Sequence, residues 1–266
     1  LTMAYGDAFV SVGSREATSR FQHQLKARFE IKTQVIGAGA EVTSARTATS
    51  GEVITEEIQE GRVLNRIIRW TNDGWEIEPD QRHADIIVHE LGLAESRPVA
   101  TPGETESRQE EGEDEEPLDA SMATKYRALA ARANYLAGDR TDLTYAVKEI
   151  CRSMASPTVG AWKKLKRLGR YLKGGGRVAV KYPWQGEESE IVGYSDSDWA
   201  GCRKTGKSTS GGALMIGNHL IKAWSRTQNH ITLSSAEAEL YAMVKGTAEL
   251  LGIKSMMSDW GRSKSG

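Results

Sequence analysis

The sequence predicts a mixed fold of helices and sheets, α+β or α/β in class, on three observations. The first hundred residues alternate short apolar runs with turn signals, and residues 121–173 carry repeating helical apolar faces. From residue 190 three antiparallel strands lead into one long helix, the front half of an α/β layer. A chain of 266 residues has room for one large domain or two ordinary ones.

The elements follow in order. Residues 2–13, TMAYGDAFVSVG, read as two short strands around a Gly6-Asp7 turn. Ser14 is placed to cap a helix with Glu16 in its first turn, and Phe21, Leu25 and Phe29 recur every four residues as its apolar face. Residues 37–61 are rich in Gly, Ala, Ser and Thr without a sustained period, and read as a flexible insertion. VLNRIIRW and GWEIE flank Asn72-Asp73-Gly74, a hairpin signal. A helix over residues 80–92 follows, with Ile86, Ile87 and Leu91 inward. In TPGETESRQEEGEDEEPLD, residues 101–119, like charges repel and almost nothing can be buried, so it reads as a solvated linker. It absorbs much of the acidity, which leaves the remainder more basic than the formal net charge of −1 suggests.

Three helices are expected next. Tyr126, Leu129, Ala133 and Leu136 share one face of the first, and Leu143, Val147, Ile150 and Met154 one face of the second. After Pro157, Trp162, Leu165, Leu168 and Leu172 line the third. That helix also carries Lys163, Lys164, Lys166, Arg167, Arg170 and Lys173. Two readings stay open for these cations: an ordinary solvated face, or a surface that tracks phosphates.

In EIVGYSDSDW the alternation of a strand puts Val192, Tyr194, Asp196 and Asp198 on one face. The two carboxylates near its end are either solvated there or aimed at a metal. GGALMIGN and HLIKAWSRTQ read as the next two strands around Gly217-Asn218, and SSAEAELYAMVKGTAELLGIKSMM as the long helix. Ser234 and Glu237 have the spacing of a capping box. Glu239 has no capping task and lies at the edge of a face formed by Leu240, Met243, Val244, Thr247 and Leu251. Facing the sheet, it could converge with Asp196 on a hard divalent cation, Mg²⁺ or Mn²⁺.

Cys151 and Cys202 stand far apart without metal spacing, and the five histidines form no ligand pattern, which argues against a structural zinc. No apolar run is long enough for a membrane span and the first residues do not read as a signal peptide, so an intracellular, cytoplasmic or nuclear, protein is expected. The start reads as a chain cut in mid-domain. Oligomeric state is not legible.

The run YSDSDWAGC…KSTSGGALMIGNHLIKAWSRTQNHITLSSAEAELYAM closely resembles the ribonuclease H domain of copia-type retrotransposon Pol polyproteins. YRALAARANYLAGDRTDLTYAVKEICRSMASPTVGAWKKLKRLGRYLKG resembles the segment that joins reverse transcriptase to ribonuclease H in that family. YGDAFVSVGSREATSRFQHQLKARFEIK is similar to the reverse-transcriptase palm around its Y-x-D-D turn, and ATPGE to the end of that domain. The resemblance implies a C-terminal reverse-transcriptase remnant over 1–103, with 37–61 as insertion. It further implies an acidic linker over 104–118, a helical connection over 119–183, and a truncated ribonuclease H-like sheet and helix over 190–266. It implies Asp196 and Glu239 as catalytic, magnesium- or manganese-binding carboxylates, Asp198 behind them, and Asp7 as the first aspartate of a polymerase turn whose second is replaced by Ala8. An RNA–DNA hybrid is the implied partner. Two carboxylates of a site needing at least three make a catalytically silent chain the leading expectation. A residual nucleic-acid-binding module on the basic helix, or a transposon remnant with no molecular function, are the alternatives.

Overall fold

The computed structural model describes residues 1–5, 8–38, 56–104, 115–187 and 190–262. By contact they divide into two units, Leu1–Ile77 with Val180–Trp184, and Glu78–Ala179 with Gln185–Gly266.

In the first unit, β1 (Thr2–Tyr5) and β2 (Ala8–Ser11) pair antiparallel with Tyr5 opposite Ala8, the two-residue connection that the sequence signals. The turn itself, Asp7 included, lies outside the described residues. Helix α1 (Arg15–Lys26) is capped by Ser14, whose Oγ accepts from Ala17 N–H at 3.3 Å. Its expected apolar face is not buried: Phe21 and Leu25 are half-exposed, and Phe29 lies beyond the helix and is exposed. β3 (Gln34–Ile36) pairs in parallel with β4 (Glu56–Ile58), so residues expected to be a flexible insertion include a strand at 56–58; residues 39–55 lie outside the described residues.

A four-stranded sheet follows in the order β5 (Glu60–Val63), β6 (Arg66–Thr71), β7 (Gly74–Glu78), β8 (Val180–Pro183). VLNRIIRW is not one strand. Leu64 and Asn65 both take positive φ, 47° and 66°, which turns the chain between β5 and β6; asparagine tolerates that region because its short side chain bonds locally. The expected turn at Asn72-Asp73 links β6 to β7. Gly74 has φ of 151°, and a Cβ there would overlap the Tyr182 carbonyl of β8, so only glycine fits. β8 lies in what the sequence suggests as a helical segment. It is fixed by pairing with β7 and by Trp184, whose Nε1–H donates to Asn72 O at 2.9 Å.

The second unit holds α2 (Gln81–Glu90), α3 (Ala120–Ala137), a 3-10 turn (Thr141–Leu143), α4 (Thr144–Arg152) and α5 (Val159–Gly175). Asp80, Asp119 and Thr158 cap α2, α3 and α5 by accepting from the N–H groups of Arg82, Met122 and Ala161. The apolar stripes converge into one core containing Ile87, Tyr126, Leu129, Leu136, Leu143, Val147, Ile150, Leu165, Leu168 and Leu172. On α2 the inward positions are Ala84 and Ile87, with Ile86 half-buried. Residues 78–103, read from sequence with the preceding segment, supply α2, Leu91 and Leu93 to this core. Gly169 permits the approach of that segment to α5, since a Cβ would come within 2.6 Å of Leu93 Cδ1.

Three antiparallel strands complete the unit in the order β11 (His219–Thr227), β10 (Lys207–Ile216), β9 (Val192–Cys202), followed by α6 (Ser235–Asp259). The expected turn at Gly217-Asn218 is present, with Gly217 at φ 55°. Helix α6 lies on the sheet through small residues, Ala238, Ala242 and Gly246, and a Cβ at Gly246 would sit 3.4 Å from Ser195 Cβ. On the other side Lys148 of α4 donates to Thr209 Oγ1 of β10 at 2.9 Å. Among the described residues no helix is long and apolar enough to cross a membrane.

Candidate functional site

The sheet and α6 bring the candidate carboxylates into one region. β9 runs regularly opposite β10 from Val192, facing Met215, to Asp198, facing Thr209. Its alternation is fixed by what lies above it: a Cβ at Gly193 would touch Leu250, Ser195 lies under Gly246, and Ser197 bonds Glu239, all on α6. Residues 193, 195 and 197 therefore face the helix. Val192, Tyr194, Asp196 and Asp198 take the opposite face, as strand periodicity requires.

Glu239 is held one turn into α6. Ser234 Oγ accepts from Glu237 N–H at 3.2 Å, and Glu237 Oε2 accepts from Leu233 N–H at 2.7 Å, so the expected capping box closes with its return arm one residue earlier than usual. Gln228 Nε2–H bonds both Ser210 Oγ and Ala238 O at 2.9 Å, and ties β11, β10 and the first turn of α6 together. Trp199 Nε1–H donates to Thr232 O at 3.1 Å and braces the approach to the helix. The Glu239 carboxylate so placed reaches β9 at Ser197: its Oε1 accepts from Ser197 Oγ–H at 2.8 Å and Ser197 N–H at 3.2 Å.

The expected convergence of Glu239 with Asp196 is therefore not what the structure forms. Glu239 meets the residue after Asp196, and Asp196 is exposed on the far face. The donor chemistry, two hard carboxylates, suits Mg²⁺ or Mn²⁺. The arrangement does not, because a cage needs both groups on one side of the strand. Asp198 accepts the Thr209 N–H and packs so closely on Gly201 that a Cβ there would overlap its carboxylate. It pins the start of the β9–β10 hairpin. In the sequence the one signal of Ser197 is its position between the two aspartates, on the helix-facing side of the alternation.

The basic face of α5 is largely used within the unit. Arg167 bonds Glu104 at 3.0 Å and Thr101 Oγ1 at 2.9 Å, while Arg170 and Lys173 donate to the carbonyls of Arg97 and Ser96, both at 2.7 Å. These three clamp residues 96–104 along the helix. Lys163 and Lys166 are exposed and Lys164 is half-buried.

A second polar cluster joins α4 to the sheet. Arg152 Nη2–H donates to Cys202 Sγ at 2.8 Å and Arg152 also bonds Glu149. Burial pushes the Cys202 thiol up, but the Arg152 and Thr205 hydrogen bonds outweigh it and hold the thiol below its usual value. Burial raises Cys151.

Relatives are found among curated proteins. An uncharacterised mitochondrial protein of Arabidopsis thaliana is 30% identical over 176 residues, 64% of this chain and 68% of the relative. The retrovirus-related Pol polyprotein from transposon RE2 of Arabidopsis thaliana is 32% identical over 187 residues, 68% of this chain and 12% of that polyprotein. The corresponding polyprotein from transposon RE1 of the same plant is 33% identical over 138 residues, 52% of this chain and 9% of the polyprotein. The chain thus spans a small part of the length of these two polyproteins. No family model matches it, and no solved structure matches it at a significant level.

Proposed function

The chain belongs to the copia-type retrotransposon Pol polyprotein family, and from that premise we propose that these residues carry a piece of its reverse-transcriptase and ribonuclease H machinery that is catalytically silent by itself. The observation that carries this reading is the seat of Glu239 on Ser197, with Asp196 turned to the other face of β9. Phosphodiester hydrolysis of the ribonuclease H kind uses two dications about 3.5–4 Å apart to activate water and to stabilise the leaving oxygen. Asp196 and Glu239 together bring two negative charges against four positive ones. Even if both were turned to one side, such a site is under-neutralised, and each 1.36 kcal/mol lost from transition-state binding is about tenfold in rate. Asp7, with Ala8 beside it where the family pattern has a second aspartate, makes polymerisation by these residues alone equally disfavoured.

Hybrid binding through α5 is not part of this reading, because Arg167, Arg170 and Lys173 already serve residues 96–104. The test is a magnesium-dependent assay on a labelled RNA–DNA hybrid with the 266-residue chain. No cleavage above background is expected, and Asp196→Asn should leave the trace unchanged. Cleavage that Asp196→Asn abolishes would overturn the proposal.

A further inference from the structure

Helix α6 is apolar on two opposite sides. The side on the sheet is the narrow stripe of Ala238, Ala242 and Gly246. The other side presents Leu240, Met243, Val244 and Leu251, exposed to 55%, 51%, 60% and 57%. A helix apolar all round is normally covered all round. Leu240, Val244, Thr247 and Leu251 recur at spacings of four, three and four, the seam by which one helix packs lengthwise on another.

We propose that this seam is a self-association surface whose occupant is α6 of a second copy, running antiparallel about a two-fold axis. Two features of the helix favour a copy of itself. A two-fold contact uses one patch twice, so the seam must be self-complementary. Centred between Lys245 and Gly246, antiparallel pairing sets Leu240 against Leu251 and Val244 against Thr247. The same register sets Glu237 against Lys254, so opposite charges meet at both ends. The parallel arrangement would instead stack Glu237 on Glu237 and Lys254 on Lys254. A seam of about three turns is small beside the roughly 800 Å² per partner of a standard interface, which places the dimer in the weak class.

The experiment is sedimentation of the full 266-residue chain from about 1 to 200 µM, with dissociation constants in the micromolar range expected. The mass should rise from one copy toward two. Val244→Glu should raise the dissociation constant at least about tenfold and leave the melting curve of the dilute monomer unchanged, since Val244 faces away from the sheet. Lys254→Glu should weaken the dimer several-fold, and an equimolar mixture with Glu237→Lys should restore association. A monomer throughout, a Val244→Glu chain that dimerises as before, association into open-ended aggregates, or no rescue in the charge-swapped mixture would each overturn the proposal.

Discussion

Replacing Tyr126 by phenylalanine and, separately, by alanine divides the ring from the hydroxyl at the centre of the helical core. Tyr126 of α3 is wholly buried, and its hydroxyl donates to the Ile150 carbonyl of α4 at 2.6 Å. Burial pushes the phenol well above its usual range, so the group remains a donor at neutral pH. The Ile150 carbonyl also accepts from Ser153 N–H at 3.1 Å. Removing the hydroxyl therefore strands no buried acceptor, and the loss should be about 1 kcal/mol, the net worth of one hydrogen bond. Removing the ring opens a cavity between α3 and α4 and should cost about 3–5 kcal/mol. Urea unfolding followed by helical ellipticity measures both, provided the slope with denaturant stays constant. A Tyr126→Phe chain as unstable as Tyr126→Ala would refute the reasoning, because the hydroxyl rather than packing would then anchor the helices.

Acid should weaken the same unit. Burial pushes Asp142 up, but the Arg140 and Tyr171 hydrogen bonds outweigh it and hold the carboxyl below its ordinary 3.8. A depressed folded value means that its contribution is present above 3.8 and fades as pH falls through the folded value. Melting temperatures should drop on that limb, and Asp142→Asn should flatten the drop. Iodoacetamide near neutral pH should alkylate Cys202 before Cys151, and Arg152→Ala should slow it, because the guanidinium favours the thiolate. Peptide mass mapping of the two cysteines reads the order directly.

Much of this fold was legible because periodicity and burial agree. Leu129, Leu165 and Leu168 repeat at helical spacing and are all buried, and Ser14 and Ser234 cap the helices they were expected to cap. The misses have physical causes. VLNRIIRW looks like one apolar strand until two residues adopt positive φ, which composition hardly signals at Leu64. β8 is a short segment made a strand by a partner a hundred residues earlier, a pairing invisible to local pattern. The basic stripe of α5 was visible, but not that residues 96–104 would lie along it and take three of its cations. At the candidate site the sequence supplies the identities of Asp196 and Glu239. Which face each one occupies depended on α6 settling over Ser195 and Ser197 through small residues.

Calorimetric titration of the chain with Mn²⁺, repeated for Asp196→Asn and Glu239→Gln, tests most directly whether the two carboxylates act together. With Glu239 seated on Ser197 and Asp196 on the opposite face, binding should be no tighter than about millimolar and neither substitution should change it appreciably. Stoichiometric micromolar binding that both substitutions abolish would contradict the account.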